Sequence, residues 1–147
     1  TVSVCPLLMY VLDTNVVSEL RKEKSGRAHA GVVYWANQLS SSLLFISVIT
    51  VLELETGILS LERRNTEQAN KLRDWLNRQV LPAFAKRTLN IDTKIAQRCA
   101  SLHVPDRRSE RDALIAATAL EHNMIVATRN VTDFAATGVE LVNPWEF

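Results

Sequence analysis

The chain has few residues of the kinds that staple a small protein or wrap a phosphate. Its 147 residues include 2 cysteines, 4 glycines and 4 prolines. Cys5 and Cys99 form neither a CxxC nor a Cys/His ligand spacing, which excludes a disulfide scaffold and a zinc finger. The scattered glycines make no GxxxxGK[ST] or GxGxxG loop, which argues against use of a nucleoside triphosphate. No GxSxG elbow is present, so a serine hydrolase is excluded. Charge of one sign is missing as well: 17 Lys and Arg face 16 Asp and Glu, a net charge of +1. A protein that coats long duplexes is far more basic, so any nucleic-acid contact here is expected to be local. No stretch offers about 18 consecutive apolar residues. Residues 2–12 are apolar but lack a basic leader and meet Asp13 too early to span a bilayer. Neither secretion nor membrane insertion is expected, and the composition suits a cytoplasmic protein.

What is present fits one globular domain, with 47% hydrophobic and 22% charged residues. The first methionine is Met9, so residues 1–8 read as an upstream extension or expression remnant and residues 9–147 as the domain. Apolar patterning predicts strands at residues 9–12, 43–47, 87–90, 125–128 and 140–142. Helices are predicted at 16–21, 29–39, 48–61, 65–79, 113–121 and after Asp92, where Ile95, Ala96, Cys99 and Leu102 recur at three and four. Residues 104–111 read as a loop. Strands alternating with helices from end to end predict an α/β fold, a central parallel sheet with helices on both faces. Such sheets place their sites in the crevice beyond the strand carboxyl ends.

Four acids fall near that crevice. Asp13 follows the first strand and can cap the next helix. Glu53 lies within an apolar helix, with Thr50 and Gly57 on its face at i, i+3 and i+7 spacing. A carboxylate between Leu52 and Leu54 is costly to bury unless it pairs with an arginine or a cation. Glu55 points elsewhere and is expected to be solvated. Asp112 suits the third position of a helix capped by Ser109, and the alanines that follow leave its carboxylate unshielded. Asp133 stands just past the strand that ends at Thr128, near Asn130, and can also cap a turn.

Each acid alone has an ordinary structural explanation. Together, four carboxylates in one crevice repel unless a cation neutralises them. All-oxygen ligands suit Mg²⁺ or Mn²⁺, whereas zinc recruits His or Cys. His29, His103 and His122 share no ligand spacing. A hard cation in an acidic cluster serves phosphate-ester chemistry, so phosphodiester hydrolysis is the expected reaction. Arg107, Arg108, Arg111 and Arg129 would flank the acids and could hold RNA phosphates, or could simply face solvent. Arg63, Arg64, Lys71, Arg73 and Arg78 read as a solvated helix face. Trp35 and Trp75 read as packing residues.

Leu12-Asp-Thr-Asn-Val-Val-Ser18, Ser47-Val-Ile-Thr-Val-Leu-Glu-Leu-Glu-Thr-Gly57, Asp112-Ala-Leu-Ile-Ala-Ala-Thr-Ala119 and Ala127-Thr-Arg-Asn-Val-Thr-Asp-Phe134 resemble the PIN-domain family. The likeness is strongest to its VapC- and FitB-type bacterial toxins, and Val142-Asn-Pro-Trp145 adds to it. It spans residues 9–145 in order.

The resemblance implies a Mg²⁺- or Mn²⁺-dependent endoribonuclease of a type II toxin–antitoxin module. Its acids map onto Asp13, Glu53, Asp112 and a fourth position. Relatives place that fourth acid either at the position of Asn130 or at that of Asp133; Asp133 is the favoured reading, with Asn130 a neutral neighbour. Asp13 and Asp112 would be the primary ligands, with Glu53 and Asp133 completing the site. Thr14, Asn15, Thr128 and Asn130 would orient water or substrate. The resemblance also implies a small VapB/FitA-like antitoxin, operator DNA contacted only through it, and a homodimer. Two rival readings follow: a catalytically weak PIN-like module that works with its antitoxin in operator binding, and a structure-specific DNA nuclease. Retention of four repelling acids opposes the first, and the small size opposes the second.

Overall fold

The computed structural model describes residues 7–147, so the expected extension lies outside the described residues except for Leu7 and Leu8. The elements in chain order are β1 (Tyr10–Leu12), α1 (Thr14–Leu20), α2 (Ala30–Asn37), β2 (Leu44–Ser47), α3 (Val48–Glu62) and α4 (Thr66–Trp75). They continue with α5 (Leu81–Ala83), β3 (Thr88–Leu89), α6 (Thr93–Leu102), α7 (Glu110–Glu121), β4 (Ile125–Ala127), α8 (Val131–Phe134) and β5 (Leu141–Val142). No described helix is long and apolar enough to cross a membrane.

All four strand pairings are parallel, in the order β3-β2-β1-β4-β5. The chain builds outward from β1 through β2 to β3, then crosses back to lay β4 and β5 on the other side. In β1, Tyr10 and Leu12 face one helical layer with Val16, Trp35, Leu54 and Leu76, while Val11 faces the other with Ile115, Ala116, Val126 and Phe134. The period-two alternation of side chains thus splits one short strand between two cores. Because strand order reverses beside β1, a crevice opens past the carboxyl ends of β1 and β4.

Helix α7 is fitted to its place by small residues. Ala113, Ala116, Ala117 and Ala119 are fully buried: Ala116 and Ala119 let the backbone approach Val11 and Val126 of the sheet, and Ala113 and Ala117 let it approach α6. It begins at Glu110, earlier than the predicted residue 113 but where the expected Ser109 cap starts it, the Ser109 side chain accepting from the Asp112 backbone N–H. The helix predicted for residues 65–79 is broken after Trp75 by a wider turn, Leu76–Val80, that keeps Leu76 and Val80 both buried. Ala96, expected on the apolar face of α6, is exposed. Glu55 is paired with Arg73 and not simply solvated, which also removes Arg73 from the free basic face. Trp35 is buried edge-on against Tyr10, with centroids 5.2 Å apart.

Candidate active site

Asp13 is held at the crevice by the end of the neighbouring strand β4 and by the start of α1. Its backbone N–H donates to Ala127 O at 2.9 Å, continuing the β1–β4 ladder by one bond. Its Oδ1 accepts from the Thr14 backbone N–H at 2.8 Å, so the capping role and the crevice position coincide. Its Oδ2 accepts from the Thr128 hydroxyl at 2.8 Å and from Asn15 Nδ2 at 3.4 Å. Thr128 is fully buried and also accepts from the Asn130 backbone N–H at 3.0 Å. Asn15 Oδ1 accepts from the Arg129 backbone N–H at 3.4 Å. Thr128, Asn15 and Asn130 therefore form one polar mesh tying the ends of β1 and β4.

Glu53 enters from α3. Ser47 ends β2 and caps α3 through Ile49 N–H at 3.0 Å, which starts that helix at the strand's carboxyl end. The Thr14 hydroxyl donates to Glu53 Oε1 at 2.8 Å and lies 3.0 Å from the buried Thr50 hydroxyl. Glu53 Oε2 stands 3.9 Å from an Arg111 guanidinium nitrogen.

Asp112, half-buried in the first turn of α7, senses all the others. Burial first, then the charges of Asp13, Asp133 and Glu53, push its carboxyl up to about 6, against a lowering bond from Ser109. Burial also raises Asp13, with Glu53 and Asp133 adding to the shift, while the bonds from Thr128 and Thr14 oppose it. Mutual repulsion of this kind places all four carboxylates in one electrostatic neighbourhood. Asp133, exposed at the start of α8, is coupled to both Asp13 and Asp112. Asn130 instead contributes its backbone N–H to the mesh.

Among the described residues, Arg111 beside Glu53 is the one side-chain cation within ion-pair distance of these four acids. These acids are thus short of positive charge and all-oxygen in their donors, the chemistry that suits a hard divalent cation, but among the described residues no three of them close into a metal-sized group.

The arginines divide. Arg111 faces the acids, and Arg129 is exposed with its guanidinium 5.4 Å from the Trp145 ring centre. Arg108 is committed to the fold, its Nε donating to Leu102 O at 2.6 Å. Arg107 lines a shallow recess with Ala100, His103 and Pro105. A cleft from Thr14 and Glu53 also runs past Ser18, Arg21 and Lys22 to Trp75. Sequence reasoning did not single out Arg21, although Thr14, Ser18 and Arg21 share one helix face at i, i+4 and i+7.

Parallel strand order that reverses beside β1, with Asp13 at the carboxyl end of that strand, defines a doubly wound α/β domain. The chain belongs to the PIN-domain family, whose model matches residues 10–139. It is 39% identical over 145 residues to VapC ribonuclease Y4jK of Sinorhizobium fredii, covering 94% of this chain and 99% of that protein. It is 37% identical over 143 residues to toxin FitB of Neisseria gonorrhoeae, covering 93% and 99%. The fold is also similar, with a TM-score of 0.84 and 35% identity, to the crystal structure of FitAcB from Neisseria gonorrhoeae, covering 95% of this chain and 100% of that one.

Proposed function

We propose that this chain is the ribonuclease toxin of a bacterial type II toxin–antitoxin module, hydrolysing RNA phosphodiester bonds with Mg²⁺ or Mn²⁺. The observation that carries the reading is Asp112, half-buried in the first turn of α7, where burial and the charges of Asp13, Asp133 and Glu53 push its carboxyl up to about 6. Asp13, Asp112, Glu53 and Asp133 would hold the cation, in keeping with the divalent-metal use general to PIN nucleases. Once bound, the cation neutralises the cluster and supplies Lewis acidity at the phosphate.

The chain's own residues do the rest. Thr128 and the Thr14 backbone N–H hold Asp13 in one rotamer, and the Thr14 hydroxyl fixes Glu53. Asn15 and Asn130 join the same mesh and would orient water or substrate. Arg111 and Arg129, with Arg21 and Lys22 along the cleft, would bind phosphates on either side of the scissile bond. A VapB/FitA-like antitoxin would block the cleft and carry operator DNA contacts, a homodimer is the expected assembly, and the cytoplasm the expected location.

The test is RNA cleavage by protein purified free of any partner, with Mg²⁺, Mn²⁺ or EDTA, beside an Asp112→Asn variant. Metal-dependent cleavage that leaves 5′-phosphate and 3′-hydroxyl ends and vanishes in the variant supports the reading. Equal cleavage by both proteins, or 2′,3′-cyclic phosphate ends, overturns it.

A further inference from the structure

A second constellation of metal-ligating side chains lies where α6 meets α7. Cys99 and His103 stand at i and i+4 across the last turn of α6, with Sγ and Nε2 3.9 Å apart. Glu110, the first residue of α7, brings Oε1 to 3.7 Å from the same Nε2. The three donor atoms all lie within 4.8 Å of one another. An ion equidistant from them would stand about 2.2–2.5 Å from each, close to zinc–sulfur and zinc–nitrogen bond lengths of about 2.0–2.3 Å. Thiol, imidazole and one carboxylate are a zinc-type set, unlike the all-oxygen cluster around Asp13. The absence of a Cys/His ligand spacing noted in the sequence holds for zinc fingers; it overlooked a pair one helical turn apart.

We propose that Cys99, His103 and Glu110 form a Zn²⁺ site, separate from the acidic crevice, whose loading unlatches the loop that leads into α7. Cys99 is 3% exposed, so the ion enters from the side of His103 and the exposed Glu110. Water completes the coordination on that open side.

The latch is an imidazole hydrogen bond. His103 Nδ1 accepts from the Arg108 backbone N–H at 3.2 Å, which places the neutral ring's proton on Nε2. Zinc ligation takes the Nε2 lone pair, so the Nε2 proton departs to solvent and solvent returns one to Nδ1. The thiol proton of Cys99 leaves as thiolate binds, and net one proton is released per ion. Nδ1–H then faces the Arg108 N–H, donor against donor, and that contact must open. The loop between α6 and α7 carries Arg107 and Arg108, both trypsin sites, so opening can be read without any nuclease assay.

The experiment titrates Zn²⁺ into the chelator-treated full chain in excess Mg²⁺, with Co²⁺ as a spectroscopic probe and limited trypsin digestion in parallel. The expected result is one equivalent bound, a thiolate-to-cobalt charge-transfer band, and faster cleavage after Arg107 or Arg108 on zinc addition. Glu110→Gln, at an exposed position, should weaken binding at least tenfold while the protein stays folded, and His103→Gln should do the same. Cys99→Ser should lose the band, and Cys5→Ser should keep it. No binding, displacement by Mg²⁺, or an affinity in Glu110→Gln or His103→Gln equal to the parent's overturns the site. A band with unchanged tryptic cleavage overturns ligation through Nε2, and with it the site as drawn.

Discussion

The Thr128 hydroxyl donates to Asp13 Oδ2 at 2.8 Å, linking two residues 115 positions apart in the chain. That bond is buried, and it is the strongest force opposing the rise of Asp13 that burial imposes. Thr128→Val should remove it and orphan the Asn130 N–H at the same time. The expected cost is about 1–3 kcal/mol of stability, with RNA cleavage reduced at least tenfold and its acidic limb moved to higher pH. Thr128→Ser should stay near the parent on all three. Thermal unfolding and a pH–rate profile of the two variants check this.

Asp112 makes the metal-free protein pH-sensitive in a stated direction. Its folded value of about 6 lies above the ordinary 3.8, so the folded state holds this proton more tightly than the unfolded chain does. The favourable contribution of protonated Asp112 is present below about pH 4 and is lost as pH rises through about 6. In EDTA, Asp112→Asn should therefore raise Tm at pH 7.5 and leave it unchanged near pH 4. Divalent metal should stabilise the parent at pH 7.5 and do so much less for the variant, as melting curves at the two pH values would show.

Arg108 and Arg111 are three residues apart but should fail in different ways. Arg111→Ala loses a cation facing the acids and should weaken RNA binding, with a salt slope shallower by about 0.7 for one lost phosphate contact to a single strand. Its exposed pair with Glu53 should contribute little to stability. Arg108→Ala removes the bond to Leu102 O and should lower Tm with little change in salt slope. Binding of a non-cleaved RNA analogue at several salt concentrations separates the two.

The alanines of α7 let it pack closely against its neighbours. Ala117 is fully buried against α6, in a cluster with Ile95, Cys99 and Ala113. Ala117→Leu should cost about 1–3 kcal/mol through overpacking, and should also displace Asp112, lowering cleavage. A Tm decrease without loss of cleavage would show that the position of Asp112 does not depend on this contact.

Much of this molecule is written in local pattern. The run ending at Leu12, the alternation of strands and helices, and the caps at Asp13, Ser47, Asp92 and Ser109 all come from neighbours within a few residues, which is the range over which periodicity and capping act. The four acids were legible for a related reason: each lies near a strand end or in a helix flanking the sheet, and a parallel sheet brings such positions to one edge. Local pattern could not resolve how partners are chosen among groups far apart in sequence. The break after Trp75, the commitment of Arg108 to Leu102 O, and the pairing of Glu55 with Arg73 each depend on which surfaces meet after folding. So does the reach of the Asp133 charge to Asp13 and Asp112. The approach of Glu110 to Cys99 and His103 is likewise set by the packing of α6 on α7. Hydrogen bonds and charge coupling act over a few ångströms in space, and only the tertiary structure brings those distances into being.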